Sequence, residues 1–538
     1  MSQNLSKTTQ NLLEEIKTAT QTKVVSKEIE RIKVSLMASK LAFFYEKIRN
    51  AIDYQEEHLL RRNAIKRILK RIVIVEGRRE KVGRHMLYEL IRARYLENEK
   101  IPVTKISEIE KILSKYLYLI KDIRITKNLS PKEIKVNNQL INWVLGVAAS
   151  EIDETLVPYN IDDALVIAMY KVVKKDLVFF RLPPNMTYSE RDIHIYLAIH
   201  RSLIKSDFDI LSFKLLKLYY PSWPNPENAT LEEVNDKLKL IKDAITSQIR
   251  DPLGDKLIKL FKSHSVYFTI LKDAILKDPK TAYQRLIDSQ SLAADITEAC
   301  QKRYQTTKSK LHRSVRRSVI YIFITKMALG LALELPFDIF VLGYINYIPL
   351  GINIVFHPTL MFLVTGFTKI PGEKNTKKII DGIQAIIHDR DREKIIYKIT
   401  RSQEKGTFSH NLLSIIYFLM YSLSFGLIIY ILNKMNFNIL SGFLFVLFLS
   451  IISFFAIRIK YGAKELVVIE KKENFVSFII DFLTVPILRA GRWISLQSSK
   501  VNIFIFLLDF IIEAPFKMTL VAFEHLISFV REKKEEIY

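Results

Sequence analysis

The sequence predicts an all-α polytopic membrane protein with a large N-terminal helical soluble region, two to four transmembrane helices and C-terminal amphipathic helices. Three observations support this fold class. Only 15 Gly and 16 Pro occur among 538 residues, so turn-forming residues are sparse. Apolar residues recur at helical spacing in the first half of the chain. Long apolar stretches of the length of a membrane span follow in the second half.

Residues 1–128 are predicted to form a basic, amphipathic helical region. The apolar residues Ile65, Ile68, Leu69 and Ile72 follow the spacing of one helix face. The polar side of the same stretch is rich in cations, which are Arg61, Arg62, Lys66, Arg67, Lys70 and Arg71. These six are candidate contacts for an anionic surface, either lipid headgroups or nucleic acid. Such a run is most often simply a solvated helix face.

Residues 129–310 are predicted to form a soluble helical bundle. Three capping boxes, in which a hydroxyl and a carboxylate three residues later bond the first free amides, start at Ser130, Thr187 and Thr230. Prolines in residues 220–226 must interrupt a helix, which predicts a turn near Trp223.

The sequence shows no recognised catalytic pattern. It lacks a phosphate-binding glycine loop, a zinc-protease motif and a nucleophile elbow. The single cysteine, Cys300, rules out an intrachain disulfide and a cysteine-rich zinc site. Carboxylates cluster at residues 151–163, where Asp162 and Asp163 are expected to complement a helix N-terminus rather than bind a cation. No cofactor or metal is therefore expected, and the chain is not predicted to be an enzyme.

Residues 311–460 are predicted to form the membrane domain. Residues 412–432 and 439–457 carry no charge and have about the length of 20 residues that a bilayer requires. Residues 318–335 and 344–366 are weaker spans because they contain Lys326, Glu334 and prolines. This first pair is expected to span twice, with a re-entrant hairpin as the alternative.

The distribution of cations predicts the orientation. The collar before residue 318, the loop 368–411 and the segment after residue 457 are basic, whereas the turn 433–438 carries only Lys434. Cytoplasmic loops are enriched in Lys and Arg. Both termini and the loop 368–411 are therefore expected in the cytoplasm, with the spans in a plasma or inner membrane. The polar start, MSQNLSKTTQ, lacks the apolar core of a signal peptide and agrees with this orientation.

Four polar residues of the membrane domain are candidates for a functional site: Lys326, Glu334, Asp338 and His357. Ionisable residues at membrane depth usually face a protein interior or a water-filled cavity. They suggest either an ion or proton path, or a simple charge pair between Lys326 and Glu334. Ser422 and Gly426 form a small-xxx-small pair that would permit close approach of another helix.

Residues 461–538 are predicted to form amphipathic interfacial helices. The polar residues of 501–530 recur at intervals of seven or four and define one narrow face. Residues 475–497 place Asp481, Arg489 and Arg492 in apolar sequence around Trp493. Helices of this kind lie in the membrane interface or pack on the spanning bundle.

The sequence-based hypothesis for function is a non-enzymatic, membrane-anchored scaffold or interaction protein with a basic cytoplasmic domain. The formal net charge of +24 favours an acidic partner, with anionic lipid headgroups ahead of nucleic acid. A protein partner or a second copy of the chain is also expected. One alternative is a small oligomeric transporter or channel that uses the intramembrane charges. Another is a membrane tether for nucleic acid or ribosomes.

Overall fold

The structure, a computed structural model, is all-α. It describes residues 5–21, 30–52, 59–78, 80–125, 130–179, 187–366, 368, 370–389, 395–397, 407–469 and 474–500, with isolated positions near the C-terminus. The predicted polar face of residues 501–530 lies outside these residues, as do residues 369, 390–394 and 398–406 of the predicted basic loop 368–411.

The chain divides into two compact units built from discontinuous segments. The membrane unit comprises Met1–Leu13, Lys171–Met186 and Lys262–Val501. The N-terminal unit comprises Glu14–Tyr170, Thr187–Phe261 and Asn502–Tyr538. Patterns of sequence composition do not reveal such an exchange of segments, and the predicted boundaries at residues 128, 310 and 460 stay predictions.

Helices account for nearly all of the described chain before the membrane segments. They are α1 (Lys7–Gln21), α2 (Leu36–Ile52), α3 (Leu60–Lys70), α4 (Val82–Arg92), α5 (Thr104–Ile125), α6 (Pro131–Leu156), α7 (Asn160–Asp176), α8 (Tyr188–Ile199), α9 (Phe208–Tyr219), α10 (Asn228–Asp236), α11 (Leu238–Ile249), α12 (Pro252–Lys277) and α13 (Ala282–Ile287). π-helical turns extend α3 through Arg71–Val75 and α8 through His200–Ile204.

The N-terminal unit has one continuous apolar core. The predicted face of α3, with Ile65, Ile68 and Leu69, is fully buried in it. Helix α6 contributes a long run of buried residues, and Trp223 closes the core from the turn after α9. Within this core Trp223 Nε1 donates to the hydroxyl of Tyr116 at 2.9 Å.

Two of the three predicted capping boxes are confirmed. Ser130 caps α6 and Thr187 caps α8, each with the reciprocal glutamate bond. The third prediction is wrong, because α10 already begins at Asn228 and Thr230 lies inside it. The proline-rich segment permits this early start, since α9 ends at Tyr219 and the chain turns before α10. The turn predicted near Trp223 is thus confirmed.

The second half of the chain carries the remaining elements. They are α14 (Ser289–Leu329), α15 (Leu335–Phe337), α16 (Tyr347–Gly366), α17 (Glu373–Ile387), α18 (Thr407–Lys434), α19 (Ile439–Ala463) and α20 (Phe475–Lys500). π-helical turns at Gly330–Glu334 and Asp338–Leu342 flank α15. Two short strands, β1 (Leu177–Phe179) and β2 (Ile395–Tyr397), pair in parallel within the membrane unit.

Four helical segments of the described chain are long and apolar enough to cross a membrane. They are Ser289–Leu342, Tyr347–Gly366, Ser414–Lys434 and Ile439–Ala463. Their outer surfaces expose large apolar residues such as Phe340 and Phe418, whereas the polar residues at their contacts are buried. Buried polar residues and exposed apolar residues are the distribution that suits helices surrounded by lipid.

The long helix Ser289–Leu342 continues through a proline at which the sequence predicted the span to end. It covers 54 residues, or roughly 80 Å at the rise of an α-helix, so it extends well beyond one bilayer. Pro336 has no amide hydrogen to donate within the helix. The two π-helical turns on either side adjust the backbone, as is typical where proline occurs in a membrane helix.

The two short connections between the membrane helices lie together at one end of the membrane unit. Asn346, between the long helix and α16, donates to the carbonyl oxygen of Asn436, between α18 and α19, at 2.8 Å. The opposite ends of the four helices carry the basic stretches. The two hairpins therefore run side by side with their tight turns on the same side, as a four-span arrangement requires.

Helix α17 is attached to the membrane unit by a buried amide. Asn375 donates to Tyr304 and to the carbonyl of Leu466, both at 2.9 Å, and accepts from the amide of Val468 at 2.8 Å. One side chain thus joins the long helix, α17 and the segment after α19.

Helix α20 packs on the α18–α19 hairpin. A Cβ at Gly491 would overlap the carbonyl oxygen of Ser450, so the backbones of α19 and α20 touch at this position. The guanidinium carbon of Arg489 lies 4.8 Å from the centre of the Tyr417 ring. The small-residue contact is thus made by Gly491. At the predicted position Gly426, an added Cβ would meet no described atom within 4 Å.

Replacing Gly491 by leucine is expected to separate α20 from α19, because no rotamer of the new side chain avoids the backbone of Ser450. Hydrogen exchange of the detergent-solubilised protein should show faster exchange across 475–500. Gly462→Leu is the matched control, because Gly462 also lies in a helix but has open space around it. Equal exchange in the two variants would contradict the close packing.

Candidate functional site: a polar network among the membrane helices

The candidate site lies among the first two membrane segments and α19. Lys326 and Glu334 lie eight residues apart on the long helix, and Asp338 follows in the second π-helical turn. Asn353 and His357 lie one turn apart on α16. All five side chains are at most 2% exposed. The helical spacing directs each group of residues toward the same interface.

Asn353 is the centre of the network. Its amide oxygen accepts from the Lys326 ammonium at 3.4 Å, and its amide nitrogen donates to Glu334 at 2.9 Å. The same nitrogen donates to the carbonyl of Ser441 on α19 at 3.1 Å. Asn353 therefore lies between the two charges and uses its hydrogen-bonding capacity on three partners.

The charges of Lys326 and Glu334 each have a second interaction. The Ser441 hydroxyl donates to Glu334 at 3.2 Å. The Lys326 ammonium lies 4.2 Å from the centre of the Phe448 ring, within the range of a cation–π interaction. Both charges are thus compensated by groups from α16 and α19, as buried charges in lipid require.

Asp338 connects this network to the tight turns. It accepts from the backbone amide of Asn346 at 3.1 Å and from the side chain of Asn438 at 2.7 Å. Asn438 also caps α19 by accepting from the amide of Ser441. One carboxylate therefore joins the two hairpins where their connections meet.

His357 makes two short contacts with backbone carbonyls. Its Nδ1 lies 3.1 Å from the oxygen of Asn353, and its Nε2 lies 3.1 Å from the oxygen of Phe445 on α19. Carbonyl oxygens only accept, whereas a neutral imidazole donates from one nitrogen. A neutral ring can therefore donate to only one of the two carbonyls, and its tautomer decides which. The Phe445 ring, 4.9 Å away, packs against the imidazole.

The structure brings all four sequence-predicted residues of the membrane domain into one region. The predicted direct pairing of Lys326 with Glu334 is replaced by a bridge through Asn353. Sequence reasoning missed Asn353, Ser441 and Asn438, since uncharged polar residues are frequent near membrane turns. The spacing of Asn353 and His357 by four residues on a helix was the available signal.

The six cations at residues 61–71 are arranged differently from the expected exposed face. Within the N-terminal unit, Arg61 pairs with Asp153, Arg67 with Glu46 at 2.6 Å, and Arg71 with Glu76 and Glu89. Of the six, only Lys70 is exposed. Folding therefore neutralises most of this run with carboxylates from distant parts of the sequence.

Arg62 is the most deeply buried of these cations. It is 1% exposed and pairs with Asp207 and, at 2.5 Å, with Asp209. Lys66 joins the same Asp209 carboxylate at 2.6 Å. The carboxylate packs directly on Gly146 of α6, where a Cβ would overlap it. A glycine thus provides the space for a cluster of four charged residues.

The acidic cluster at residues 151–163 also forms ion pairs. Lys115 binds Glu151 at 2.6 Å, and Lys214 binds Glu154 and Asp163, each at 2.9 Å. Burial raises the pKa of Glu151, an effect that the positive charge of Lys115 opposes. Asp162 and Asp163 lie in the first turn of α7, as predicted. Among the described residues, no group of three potential metal ligands occurs.

These features define an all-α protein with four helices suited to crossing a membrane and a buried polar network among them. Comparison with protein-family models, curated proteins and solved structures gave no match to this chain.

Proposed function

We propose that the chain is a non-enzymatic, membrane-anchored interaction protein. In this proposal the four membrane segments form the anchor, and the N-terminal unit is a cytoplasmic domain that binds a partner protein. The observation that carries the proposal is the closed polar network at Asn353. Its charged members are buried and compensated by one another and by neighbouring helices. Buried charges whose interaction partners lie on neighbouring helices hold those helices together.

The N-terminal unit supports the same interpretation. Its apolar core extends from Ile32 to Ile249 and includes residues from most of its helices. A core of this size is typical of a domain that folds around itself. Its basic helix α3 is engaged by internal carboxylates. This favours a protein partner over nucleic acid, which would need those cations for its phosphates.

Orientation in the proposal follows the positive-inside rule. The basic ends of the membrane helices lie opposite the two tight turns, which carry few cations. The proposal therefore places these basic ends and both termini in the cytoplasm.

Site-specific photo-crosslinking tests the proposal. A photoreactive residue is placed at Tyr188 or Leu240, both strongly exposed in the N-terminal unit, in the full-length protein in its membrane. Matched positions at Phe340 and Phe418 are equally exposed but lie on the membrane helices. The proposal predicts that the first pair forms a discrete protein adduct whether irradiation is carried out at low or at high salt. The second pair should crosslink mainly to lipid.

A different pattern of crosslinks would contradict the proposed scaffold function. Absence of any protein adduct at Tyr188 and Leu240 would remove the basis for a partner of this unit. Adducts that form with nucleic acid at low salt, and do not form when irradiation is carried out at high salt, would instead support the tether.

A proton or ion path is the second candidate function. It is favoured by the series of polar contacts from Lys326 through Asn353 to Glu334, with Asp338 beyond at the tight turns. Purified protein in liposomes should then conduct protons, and Glu334→Gln should abolish the flux. Thr325→Val is the matched control, because within the described residues the Thr325 hydroxyl bonds only to carbonyls of its own helix. Unchanged flux in Glu334→Gln would exclude the path.

A further inference from the structure

A groove between the long helix and α16 lies where the basic sequence gives way to apolar sequence. Its volume is about 500 Å³, and it is open to the surface. His312, Arg313 and Arg316 line its polar half, and Val319, Ile320 and Phe362 line its apolar half. The groove thus changes from cationic to apolar over about two helical turns, or roughly 11 Å along the helix axis.

Some cations of the membrane unit are paired with carboxylates, whereas the arginines of this groove pair with none of the described ones. Arg303, farther back on the same helix, forms an ion pair with Asp273, and Lys277 pairs with Asp295 at 2.9 Å. In the part of the chain that the structure describes, no carboxylate pairs with Arg313 or Arg316, and both are exposed. Two uncompensated guanidinium groups therefore lie at the start of a membrane-spanning stretch.

The apolar half of the groove is continuous with the lipid-facing surface. Ile320 is 54% exposed and Phe362 is 55% exposed, on two neighbouring helices that are suited to crossing the bilayer. In water such residues would favour burial, whereas in a bilayer they contact acyl chains. The polar half lies at the end of the helices that carries the basic stretches.

We propose that this groove binds an anionic phospholipid. Arg313 and Arg316 bind the phosphate, and Val319, Ile320 and Phe362 contact an acyl chain. Guanidinium groups suit phosphate because they form parallel, charge-assisted hydrogen bonds with its oxygens. Basic pockets between membrane helices on the cytoplasmic side are a recurrent setting for such headgroups. The inference depends on the membrane placement of these helices but not on the proposed scaffold role.

Native mass spectrometry of the full-length protein in mild detergent tests the proposal. The delipidated protein is titrated with phosphatidylglycerol or with phosphatidylcholine of the same acyl chains. The wild-type protein is expected to retain phosphatidylglycerol preferentially. Arg313→Gln combined with Arg316→Gln should weaken this binding by roughly 30-fold, given the usual contribution of a basic residue near an anionic lipid.

Arg317→Gln is the matched control for the single variant Arg316→Gln. It removes the same charge from the adjacent exposed position, but Arg317 does not line the groove. It should leave phosphatidylglycerol binding near the wild-type level. An equal loss in Arg316→Gln and Arg317→Gln would show general attraction to a basic surface and overturn the site.

Two further experiments test whether the ligand is a lipid that contacts the apolar half of the groove. Ile320→Asp keeps both arginines but introduces a carboxylate in the apolar half, and it should also weaken phosphatidylglycerol binding. Excess inorganic phosphate should not displace the lipid, because it gains no contact with the apolar half. Displacement by inorganic phosphate, or equal retention of the two lipids, would overturn the proposal.

Discussion

Replacing Glu334 by leucine is expected to destabilise the membrane unit by about 3–5 kcal/mol, the usual cost of removing one partner of a buried charge pair. The variant leaves the Lys326 ammonium at 1% exposure without its carboxylate. It also removes the acceptor of the Asn353 amide and the Ser441 hydroxyl. Thermal unfolding in detergent, followed by loss of the monodisperse species, measures the effect.

Two comparison variants separate charge from hydrogen bonding. Glu334→Gln retains an acceptor for Asn353 and should destabilise less than leucine. Combining Lys326→Met with Glu334→Leu removes both charges, and its cost should be smaller than the sum of the single costs. Additive effects of the two substitutions would show that the residues do not act together, and the network would lose its structural role.

Replacing Gly146 by alanine is expected to destabilise the N-terminal unit by about 3–5 kcal/mol, because the methyl group displaces Asp209 from the buried Arg62. The sign of the change in stability is informative. At an unconstrained position in a helix the same substitution stabilises by about 0.5–1 kcal/mol, since alanine has the higher helix propensity. Native-state hydrogen exchange of the full-length protein should show the loss across α3, α6 and α9.

Gly254→Ala provides the control within the same unit. A Cβ at Gly254 meets only the end of the flexible Arg201 side chain, at 3.4 Å. This variant should leave protection unchanged or slightly increased, because alanine has the higher helix propensity. Increased protection of α6 in Gly146→Ala would show that Asp209 moves without cost, and it would contradict the importance of the buried charge cluster.

The sequence predicted the features that depend on neighbouring residues. The all-α fold, the caps at Ser130 and Thr187, and the apolar segments around 412–432 and 439–457 follow from spacing, local hydrogen bonding and hydropathy. These properties act over a few turns of helix, so a single segment contains the information. The grouping of Lys326, Glu334 and Asp338 on one helix is of the same kind.

Features that depend on distant residues could not be predicted in this way. Lys66 meets Asp209 across an interval of 143 residues, and Asn353 contacts Ser441 across 88. The sequence of the basic run at residues 61–71 predicts an exposed surface, because nothing in it reveals the carboxylates that neutralise it. Whether a charge is exposed is set by its partner, and the partner is chosen by packing.

The sequence by itself determined that the chain is helical and where it is apolar enough for a membrane. Only the tertiary structure decided which polar residues are paired within the folded protein and which remain exposed. Lys326 and Arg62 are compensated within the protein, whereas Arg313 and Arg316 have no described carboxylate partner. The physical reason is that burying a charge requires a compensating group in three dimensions, and the sequence order does not record which residues meet.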